Sequence, residues 1–261
     1  MKTRTFRGLV LLGLILLTSM PALAQDAPGE DALQIPFVDL SVRAPETSQE
    51  VALSLQILLL LSVLSLAPAI ILLLTSFLRI AIVFDFVKRA LSLQQVPPTQ
   101  VLMGMALFMT IFVMWPVFTE IYEDAFEPLA EGEIGLEEAY EEFETPMRLF
   151  MYRQMAANPD NIRLFMRMSN LPAPNTLADV PTHVLIPAFI LHELTVAFKI
   201  GILLFVPFII IDMVVASTLM SMGMIMLPPI MISLPFKLIV FVLVDGWGLL
   251  TQQLVESFGV L

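Results

Sequence analysis

Long hydrophobic runs place this chain in a membrane. Val51 to Leu78 is 28 residues without a charge, enough for one spanning helix that Arg79 closes, and Val101–Phe118 and Leu185–Ile211 form two further runs. A membrane-spanning helix needs about 20 predominantly apolar residues. The chain of 261 residues is 58% hydrophobic and 14% charged, with a mean hydropathy of +0.88, far from the composition of a soluble domain. We therefore predict an all-α integral membrane protein.

The N-terminus has the pattern of a secretory signal. Three basic residues precede an apolar run from Gly8 to Leu17, and small residues lead up to Ala24. This pattern predicts a cleavable signal peptide over residues 1–24, with cleavage between Ala24 and Gln25. The alternative is an uncleaved first membrane helix, for which the apolar run is short. Residues 25–50 are then expected to form a polar extracytoplasmic segment.

One stretch of the chain is strongly acidic. Thr119 to Thr145 contains ten glutamates, Asp124 and no basic residue, and these eleven charges equal the net charge of −11. Such a stretch is most often a solvated loop or an exposed helix, and a dedicated cation or partner site is the alternative. The basic residues between Arg79 and Arg89 lie on the other side of the second hydrophobic run. The positive-inside rule therefore predicts a cytoplasmic basic connection and an acidic stretch outside.

Two other charged regions have a helical pattern. Asp85 lies three and four residues before Lys88 and Arg89, a spacing that lets the three charges pair on one helix face. Pro146 to Val180 is moderately polar and contains four arginines. This second region is suited to one or two amphipathic helices at a membrane interface or against a partner.

Methionines and prolines mark a further unusual segment. Between Asp212 and Lys237 there is no charge for 24 residues, and Pro228-Pro229 interrupts this stretch. Proline disfavours helix, so we expect the preceding helix to end near Leu227. Non-helical backbone at membrane depth is tolerated where it is buried in protein or lines a cavity. Spacing alone leaves open a Met-rich packing helix with a proline kink. The methionines of this segment occupy alternate positions: Met220, Met222, Met224 and Met226.

Charged residues within hydrophobic runs need partners or water. In a proton-coupled transporter, Glu193 would relay protons and Lys199 would hold a substrate charge. In an assembled complex, Glu193, Lys199, Lys237 and Asp245 would pair between helices or subunits. Glu193 and Lys199 are six residues apart and cannot pair along one helix face, which favours the second interpretation.

The chain lacks the residues of common catalytic and cofactor sites. It has no cysteine and two histidines, and it has no phosphate-binding loop, dinucleotide fingerprint or nucleophile motif. We therefore expect no enzyme activity, no catalytic residue, no cofactor, no metal site and no nucleic-acid partner.

Short stretches spread over most of the chain carry a family resemblance, which covers nearly everything after about residue 50. They are Thr75–Ile80, Ile82–Phe84, Pro97–Leu102, Ala106–Phe108, Pro146–Arg148, Arg153–Gln154, Pro187–Phe189, Glu193–Leu194, Phe205–Phe208, Ile211–Asp212, Gly223–Pro229, Leu234–Lys237 and Phe241–Trp247. Together they closely resemble the FliP family of flagellar type III export-gate subunits, which is related to a virulence-secretion branch. The signal peptide and the acidic stretch favour the flagellar branch.

The resemblance implies a pore-forming subunit of the export gate, which passes unfolded flagellar proteins across the bacterial inner membrane. Bent helical hairpins would assemble into a helical pore complex, a homo-oligomer (a pentamer in the family) with FliQ and FliR. FlhB and FlhA would be neighbours in the flagellar basal body, with much of the complex on the periplasmic side. The domains implied are a first hydrophobic hairpin over 51–118, a periplasmic region over 119–184 and a second hairpin over 185–261.

The resemblance also implies a channel gate at Met224, Ile225 and Met226. Isoleucine at 225 departs from the usual run of three methionines, so we expect a stiffer seal. An apolar constriction can still close a pore by dewetting, while flexible side chains yield to a passing chain. Residues on either side would support the gate: Met220, Met222, Pro228 and Pro229.

Overall fold

The computed structural model describes residues 48–93, 96–224 and 228–259. Every regular element in these ranges is helical, which confirms the predicted all-α fold. The predicted signal peptide, with its cleavage site at Ala24 and Gln25, lies outside the described residues. The helices are α1 (Ser48–Leu74), α2 (Phe77–Ala90), α3 (Thr99–Ile121), a π-helical turn (Tyr122–Phe126), α4 (Glu127–Glu131), α5 (Leu136–Met155), α6 (Asp160–Met168), a 3₁₀ turn (Leu177–Asp179), α7 (Thr182–Ser221), α8 (Pro229–Leu243) and α9 (Gly246–Glu256).

The contacts within the chain define two compact units, residues 1–59 and residues 60–261. Of the first unit, the structure describes residues 48–59, the N-terminal part of α1. All other helices belong to the second unit. In that unit, residues 60–74 of α1 have no buried side chain. An apolar helix of this kind is suited to lipid or to another apolar surface.

Three helical segments are long and apolar enough to cross a membrane. They are Val51–Leu74, Thr99–Glu131 and Thr182–Ser221. The second of these comprises α3, the π-helical turn and α4, so it extends beyond the predicted hydrophobic run into the acidic stretch. Helices α8 and α9 meet at a bend of 63° and form a fourth candidate if the bent pair is one span.

The first hydrophobic run is broken where a single helix was predicted. We expected Val51–Leu78 to be one helix closed by Arg79, but α1 ends at Leu74. At the break, the hydroxyl of Thr75 donates to a carbonyl in the last turn of α1 (3.1 Å) and accepts from the N–H of Phe77 (3.4 Å). Because this side chain replaces backbone partners, the helix stops without glycine or proline. Arg79 consequently lies inside α2.

The third hydrophobic run is longer than predicted. We expected the run to end at Ile211 and a separate short segment to end near Leu227. Helix α7 instead continues through Asp212 as one helix of 40 residues and ends at Ser221. At 1.5 Å per residue its length is about 60 Å, which exceeds the hydrocarbon core of about 30 Å.

The core of the second unit forms around α7, against which α2, α5, α6 and α8 pack. The rings of Phe150 and Phe189 meet edge to face, with centroids 5.9 Å apart. Gly201 has a packing role, because the ring of Phe86 occupies the place where a β-carbon would project. The buried apolar residues of α2 recur at helical spacing: Ile80, Val83, Phe84 and Val87.

The charged regions outside the core are mostly exposed. The acidic stretch forms the end of α3, the π-helical turn, α4 and the start of α5, with nearly all of its carboxylates at the surface. This result agrees with the interpretation of an exposed helix. In α2, Arg89 pairs with Asp85 at 2.6 Å as expected, whereas Lys88 donates to the hydroxyl of Thr99 (3.1 Å).

Candidate functional site

Residues 220–228, which we call the Met-rich connection, begin at a helix end of a defined kind. Helix α7 stops at Ser221, and the N–H of Gly223 donates to the carbonyl of Met220 (3.0 Å). The N–H of Met224 reaches the carbonyl of Leu219, also at 3.0 Å. This is the Schellman arrangement, which places a left-handed residue just beyond the helix. Gly223 fills that position with a φ of 74°, a conformation that costs other residues free energy.

Glycine, rather than the two prolines, therefore ends α7. Pro228 directly precedes α8, and Pro229 is the first residue of that helix. Proline is well suited to the first helical position, where an N–H would have no partner within the helix. The predicted end near Leu227 was wrong, because the prolines mark the start of the next helix.

The described methionines of the connection are strongly exposed. Met220, Met222 and Met224 are 69%, 66% and 41% exposed. Met220 lies in the last turn of α7 and Met222 in the turn that follows, so these side chains do not form one extended row. Ile225 and Met226, the other two residues of the predicted gate, lie outside the described residues.

A buried lysine joins the two helices on either side of the connection. The ammonium group of Lys237, in α8, donates to the carboxylate of Asp212 in α7 (2.7 Å). Its other bonds go to the carbonyl of Ala90 (3.1 Å) and the hydroxyl of Ser92 (2.8 Å), at the end of α2. All three donors of the ammonium are thus used, which compensates for its burial. We call Lys237, Asp212, Ser92 and the Ala90 carbonyl the Lys237 cluster.

The end of α2 is shaped to receive this lysine. Ser92 has a φ of 59°, and its N–H donates to the carbonyl of Arg89 at 2.9 Å. A helix C-terminus leaves carbonyls without partners and attracts positive charge, and Lys237 supplies both a donor and a charge. Asp212 is further fixed by the hydroxyl of Ser233 (2.6 Å). Three helices are therefore held together next to the Met-rich connection.

A second buried cluster forms around Arg79. Its Nε donates to Glu193 Oε2 (2.8 Å), and its Nη2 donates to Glu193 Oε1. Both side chains are almost completely buried. Further bonds from the guanidinium go to the carbonyl (2.8 Å) and hydroxyl (3.0 Å) of Ser257 and to Gln154 (3.3 Å). All five N–H groups of the arginine therefore have acceptors.

The Arg79 cluster, which we define as Arg79, Glu193, Gln154, Ser257 and Phe258, fixes the C-terminal end of the described chain. The guanidinium carbon lies 3.9 Å from the centre of the Phe258 ring, a cation–π contact. The side-chain amide of Gln154 donates to the carbonyl of Phe258 at 3.1 Å. The cluster thereby connects α2, α5 and α7 with the residues that follow α9.

Comparison with known proteins decides the family. The FliP family model matches residues 60–254. The chain is 66% identical over 231 residues to the flagellar biosynthetic protein FliP of Treponema denticola, covering 88% of this chain and 85% of the relative. It is 63% identical over 250 residues to that of Treponema pallidum, covering 91% and 92%. The protein of Bacillus subtilis is 48% identical over 219 residues, covering 84% and 98%.

The chain belongs to the FliP family. The predicted family is therefore confirmed, and the chain is a flagellar biosynthesis protein with several helices suited to a membrane. The ion pairs of the two clusters, Arg79 with Glu193 and Asp212 with Lys237, lie within the part of the chain that the FliP family model matches.

Four charged residues were predicted to pair between helices or subunits. The structure places two of them, Glu193 and Lys237, in pairs between helices of one chain. Lys199 and Asp245 are exposed and form no ion pair within the described ranges. Asp245 precedes α9 with a φ of 50°. The two paired residues thus have a partner within the chain, whereas the two exposed residues have no ion-pair partner in the described ranges.

Sequence reasoning missed the partners of these charges. Arg79 was assigned to a helix end, although the apolar residues on both sides of it are a signal that it is buried and paired. Asp212 was recognised as a charge in need of a partner but not as the partner of Lys237. Ser92 carried no signal, because its role depends on a left-handed turn at the end of α2.

The segment before α7 is fixed by polar contacts of its own. Arg148, in α5, donates to the carbonyls of Leu177 (3.2 Å) and Val180 (2.7 Å). The N–H groups of Thr176 and Asn175 donate to the Asp179 carboxylate and hold the pKa of Asp179 below its usual range. These contacts position the start of α7. Within the described ranges, no three His, Cys, Asp or Glu side chains are grouped so as to hold a metal ion.

Proposed function

We propose that several copies of this chain form the core of the flagellar type III export gate, a pore in the inner membrane for unfolded flagellar proteins. Met224, Ile225 and Met226 form its constriction, supported by Met220, Met222, Pro228 and Pro229. The role is structural and involves no catalytic step, since the transported chain is moved by other components.

The exposed helix break after α7 is the observation that carries this proposal. An apolar helix of 40 residues ends, and the methionines at its end are turned outward. In a membrane protein such irregular backbone is tolerated where it is covered by protein or lines a cavity. Methionine is flexible and polarizable, so it suits a surface that must close and then adapt to a passing chain.

The Lys237 cluster gives the proposed gate a rigid frame. Asp212 lies nine residues before the end of α7, and Lys237 lies eight residues after the start of α8. Their pairing at 2.7 Å holds the two helices together on either side of the connection. Movement can then be confined to the connection itself, while the helices that carry it keep their positions.

The proposed assembly is a homo-oligomer, a pentamer as the family suggests, with FliQ and FliR. It lies in the flagellar basal body, with FlhB and FlhA as further membrane partners and much of its mass on the periplasmic side. The exposed apolar surfaces of α1 support this proposal, because copies or partner helices could cover them. Of the four charges predicted to pair between helices or subunits, Lys199 and Asp245 are the two that remain available for contacts between subunits.

A proton-coupled transporter built on Glu193 and Lys199 fits the structure less well. Both carboxylate oxygens of Glu193 accept hydrogen bonds from Arg79, in a site without solvent exposure. A proton relay needs a group that exchanges protons with water or with a neighbouring carrier. Lys199 is exposed and six residues away. No observation on these residues favours transport over a structural ion pair.

Substitution of the constriction tests the proposed function. We expect the variant with Met224→Ser, Ile225→Ser and Met226→Ser to form a particle of normal size, and membranes containing it should leak ions and small solutes. The physical reason is that polar side chains let water enter an apolar constriction. The measurement is ion flux in vesicles containing the complex, with particle size checked after mild detergent extraction.

The control substitutes exposed methionines in the two helices that flank the connection. Met213 in α7 and Met231 in α8 are about as exposed as Met220 and Met222. Met213→Ser and Met231→Ser should leave the flux unchanged. A correctly assembled triple variant with unchanged ion permeability would contradict the proposed gate. A particle containing one copy of the chain would contradict the proposed assembly.

A further inference from the structure

An apolar groove opens in the middle of the acidic stretch. It lies between the π-helical turn, α4 and the start of α5, and its volume is about 710 Å³. Large apolar side chains line it while remaining partly in solvent: Phe126 is 56%, Leu136 is 77% and Tyr140 is 60% exposed. Exposed apolar surface of this kind is typical of a site that contacts another protein or lipid. We call Phe126, Leu129, Leu136, Tyr140 and Phe143 the acidic groove, after the residues around it.

The charges around the groove indicate which kind of surface it would bind. Glu137 is part of the lining, and Glu133 and Glu141 are close to it in sequence and exposed. Among the described residues, Glu144 is the acidic residue of this stretch that has an ion pair, with Arg148 at 3.4 Å. The other carboxylates therefore have no positive partner in the described chain. A second acidic groove or an anionic membrane surface would be repelled, whereas a basic apolar surface would be attracted.

Helix α6 has a surface with this complementary chemistry. Its inner residues, Ile162 and Met166, are buried. On the outer side, positions three and four apart carry Arg163, Arg167 and two apolar side chains, and Arg163 also pairs with the exposed Asp160 of the same helix at 3.5 Å. Both apolar side chains are exposed, Met168 strongly so. We call the outer residues the basic face of α6: Arg163, Leu164, Arg167 and Met168.

The groove and the basic face of one chain are separated. Tyr140 is 15 residues from the end of α5 that leads into α6, which corresponds to about 22 Å of helix. Helix α6 is packed on α7. Phe126 and Leu129 lie near the end of the span Thr99–Glu131, and the rest of the groove and the whole of α6 lie between that span and Thr182–Ser221, so both surfaces are at the same side of the membrane. Two copies could therefore meet through them.

We propose that the acidic groove of one copy binds the basic face of α6 of the next copy. The contact is head to tail, so each copy gives one surface and receives the other, which is the kind of contact that closes a ring. The inference rests on the proposed assembly of several copies. It identifies the two surfaces through which neighbouring copies would bind each other.

Cysteine cross-linking tests this contact directly, because the chain has no native cysteine. The full chain with both Tyr140→Cys and Leu164→Cys is produced in membranes and treated with a short bis-maleimide. We expect a ladder of cross-linked dimers, trimers and higher multimers. Each single variant should give none, because a head-to-tail contact places two different residues together.

Four results would overturn the proposed contact. Cross-linking by Tyr140→Cys alone would show that two grooves face each other. A multi-copy particle without cross-links in the double variant would leave the proposed assembly intact and exclude this contact. If the Tyr140→Cys thiol were shielded from a membrane-impermeant maleimide and gave no cross-links, the groove would be in contact with lipid. A particle that contains one copy of the chain would contradict both the proposed contact and the proposed assembly.

Reversing charges on the two surfaces distinguishes a loss of the contact from a loss of folding. In the double-cysteine chain, Arg163→Glu with Arg167→Glu should lower the yield of cross-linked product about tenfold, since charges that attract would then repel. Adding Glu137→Arg and Glu141→Arg to the same chain should restore it. Arg153→Glu, which reverses an exposed charge outside the basic face, should have no effect. A loss that the compensating changes do not restore would count against the contact.

Discussion

The two breaks in the apolar helices of this chain are built in opposite ways. Between α1 and α2, the polar residues Thr75 and Ser76 are completely buried. Between α7 and α8, the apolar residues Met222 and Met224 are exposed. Polar groups are thus inside at one break and apolar groups outside at the other, which reverses the usual distribution of both.

The difference shows which break is held in place by contacts within the chain. The first break adjoins Arg79, whose donors are all used within the chain, so its geometry is set before any assembly. At the second break the flanking helices are fixed by Lys237 and Asp212, while the described part of the connection between them is left uncovered. A break of the second kind is suited to contacts that form and change in an assembly.

The largest expected effect is at the buried break. Glu193→Gln keeps the shape of the side chain but removes the negative charge opposite Arg79. Removing one partner of a buried ion pair typically costs about 3 to 5 kcal/mol, because the other charge stays buried without compensation. We expect the thermal midpoint of the detergent-solubilised protein to fall by about 10 °C, measured by loss of the monodisperse particle on heating.

A charge removed from the surface of the same helix provides the control. Lys199→Gln should leave the midpoint nearly unchanged, since exposed substitutions away from special contacts have small effects. The double variant Arg79→Met with Glu193→Leu should be less destabilised than Glu193→Gln, because it leaves no isolated charge. Equal effects of Glu193→Gln and Lys199→Gln would show that the Arg79 cluster does not hold the first break.

A smaller loss is expected next to the exposed break. Lys237→Met removes the bond to Asp212 and leaves the carbonyl of Ala90 without its donor. The Asp212 side chain is 34% exposed and can regain water, so we expect a cost of about 2 kcal/mol, below that of Glu193→Gln. The measurement is the same thermal midpoint. A loss as large as that of Glu193→Gln would contradict the ranking of the two clusters.

Much of the fold could be predicted from the sequence, because hydrophobic runs and acidic stretches are local properties. The runs in α1, α3 and α7 are long enough to recognise directly, and the acidic stretch is exposed as expected. The break at Thr75 could not be recognised this way. A threonine side chain that bonds nearby backbone groups is compatible with a helix as well as with its end.

Less of the candidate site than of the fold could be predicted from the sequence. Arg79 and Glu193 are 114 positions apart and Asp212 and Lys237 are 25 apart, so their pairing depends on how the helices pack. The end of α7 did carry a local signal in Gly223, since glycine often follows the last helical residue. Pro228 and Pro229 gave the stronger signal and were assigned to the end of a helix, although they precede the next one.

The smallest expected effect is at the glycine that ends α7. Gly223 has a φ of 74°, and nothing lies within 4 Å of the position that a β-carbon would take, so Gly223→Ala meets no clash. The left-handed backbone itself costs a residue with a β-carbon about 1 kcal/mol. The measurement is again the thermal midpoint, and we expect a decrease of about 2 to 4 °C.

The same substitution inside a helix should have the opposite sign. Gly104 lies within α3, also with nothing within 4 Å of a β-carbon, and its φ is not in the left-handed region. Gly104→Ala should therefore stabilise the protein by about 0.5 to 1 kcal/mol, because alanine favours helix over glycine. If Gly223→Ala also raised the midpoint, α7 would continue past Ser221, and the methionines would belong to a helix rather than to a break.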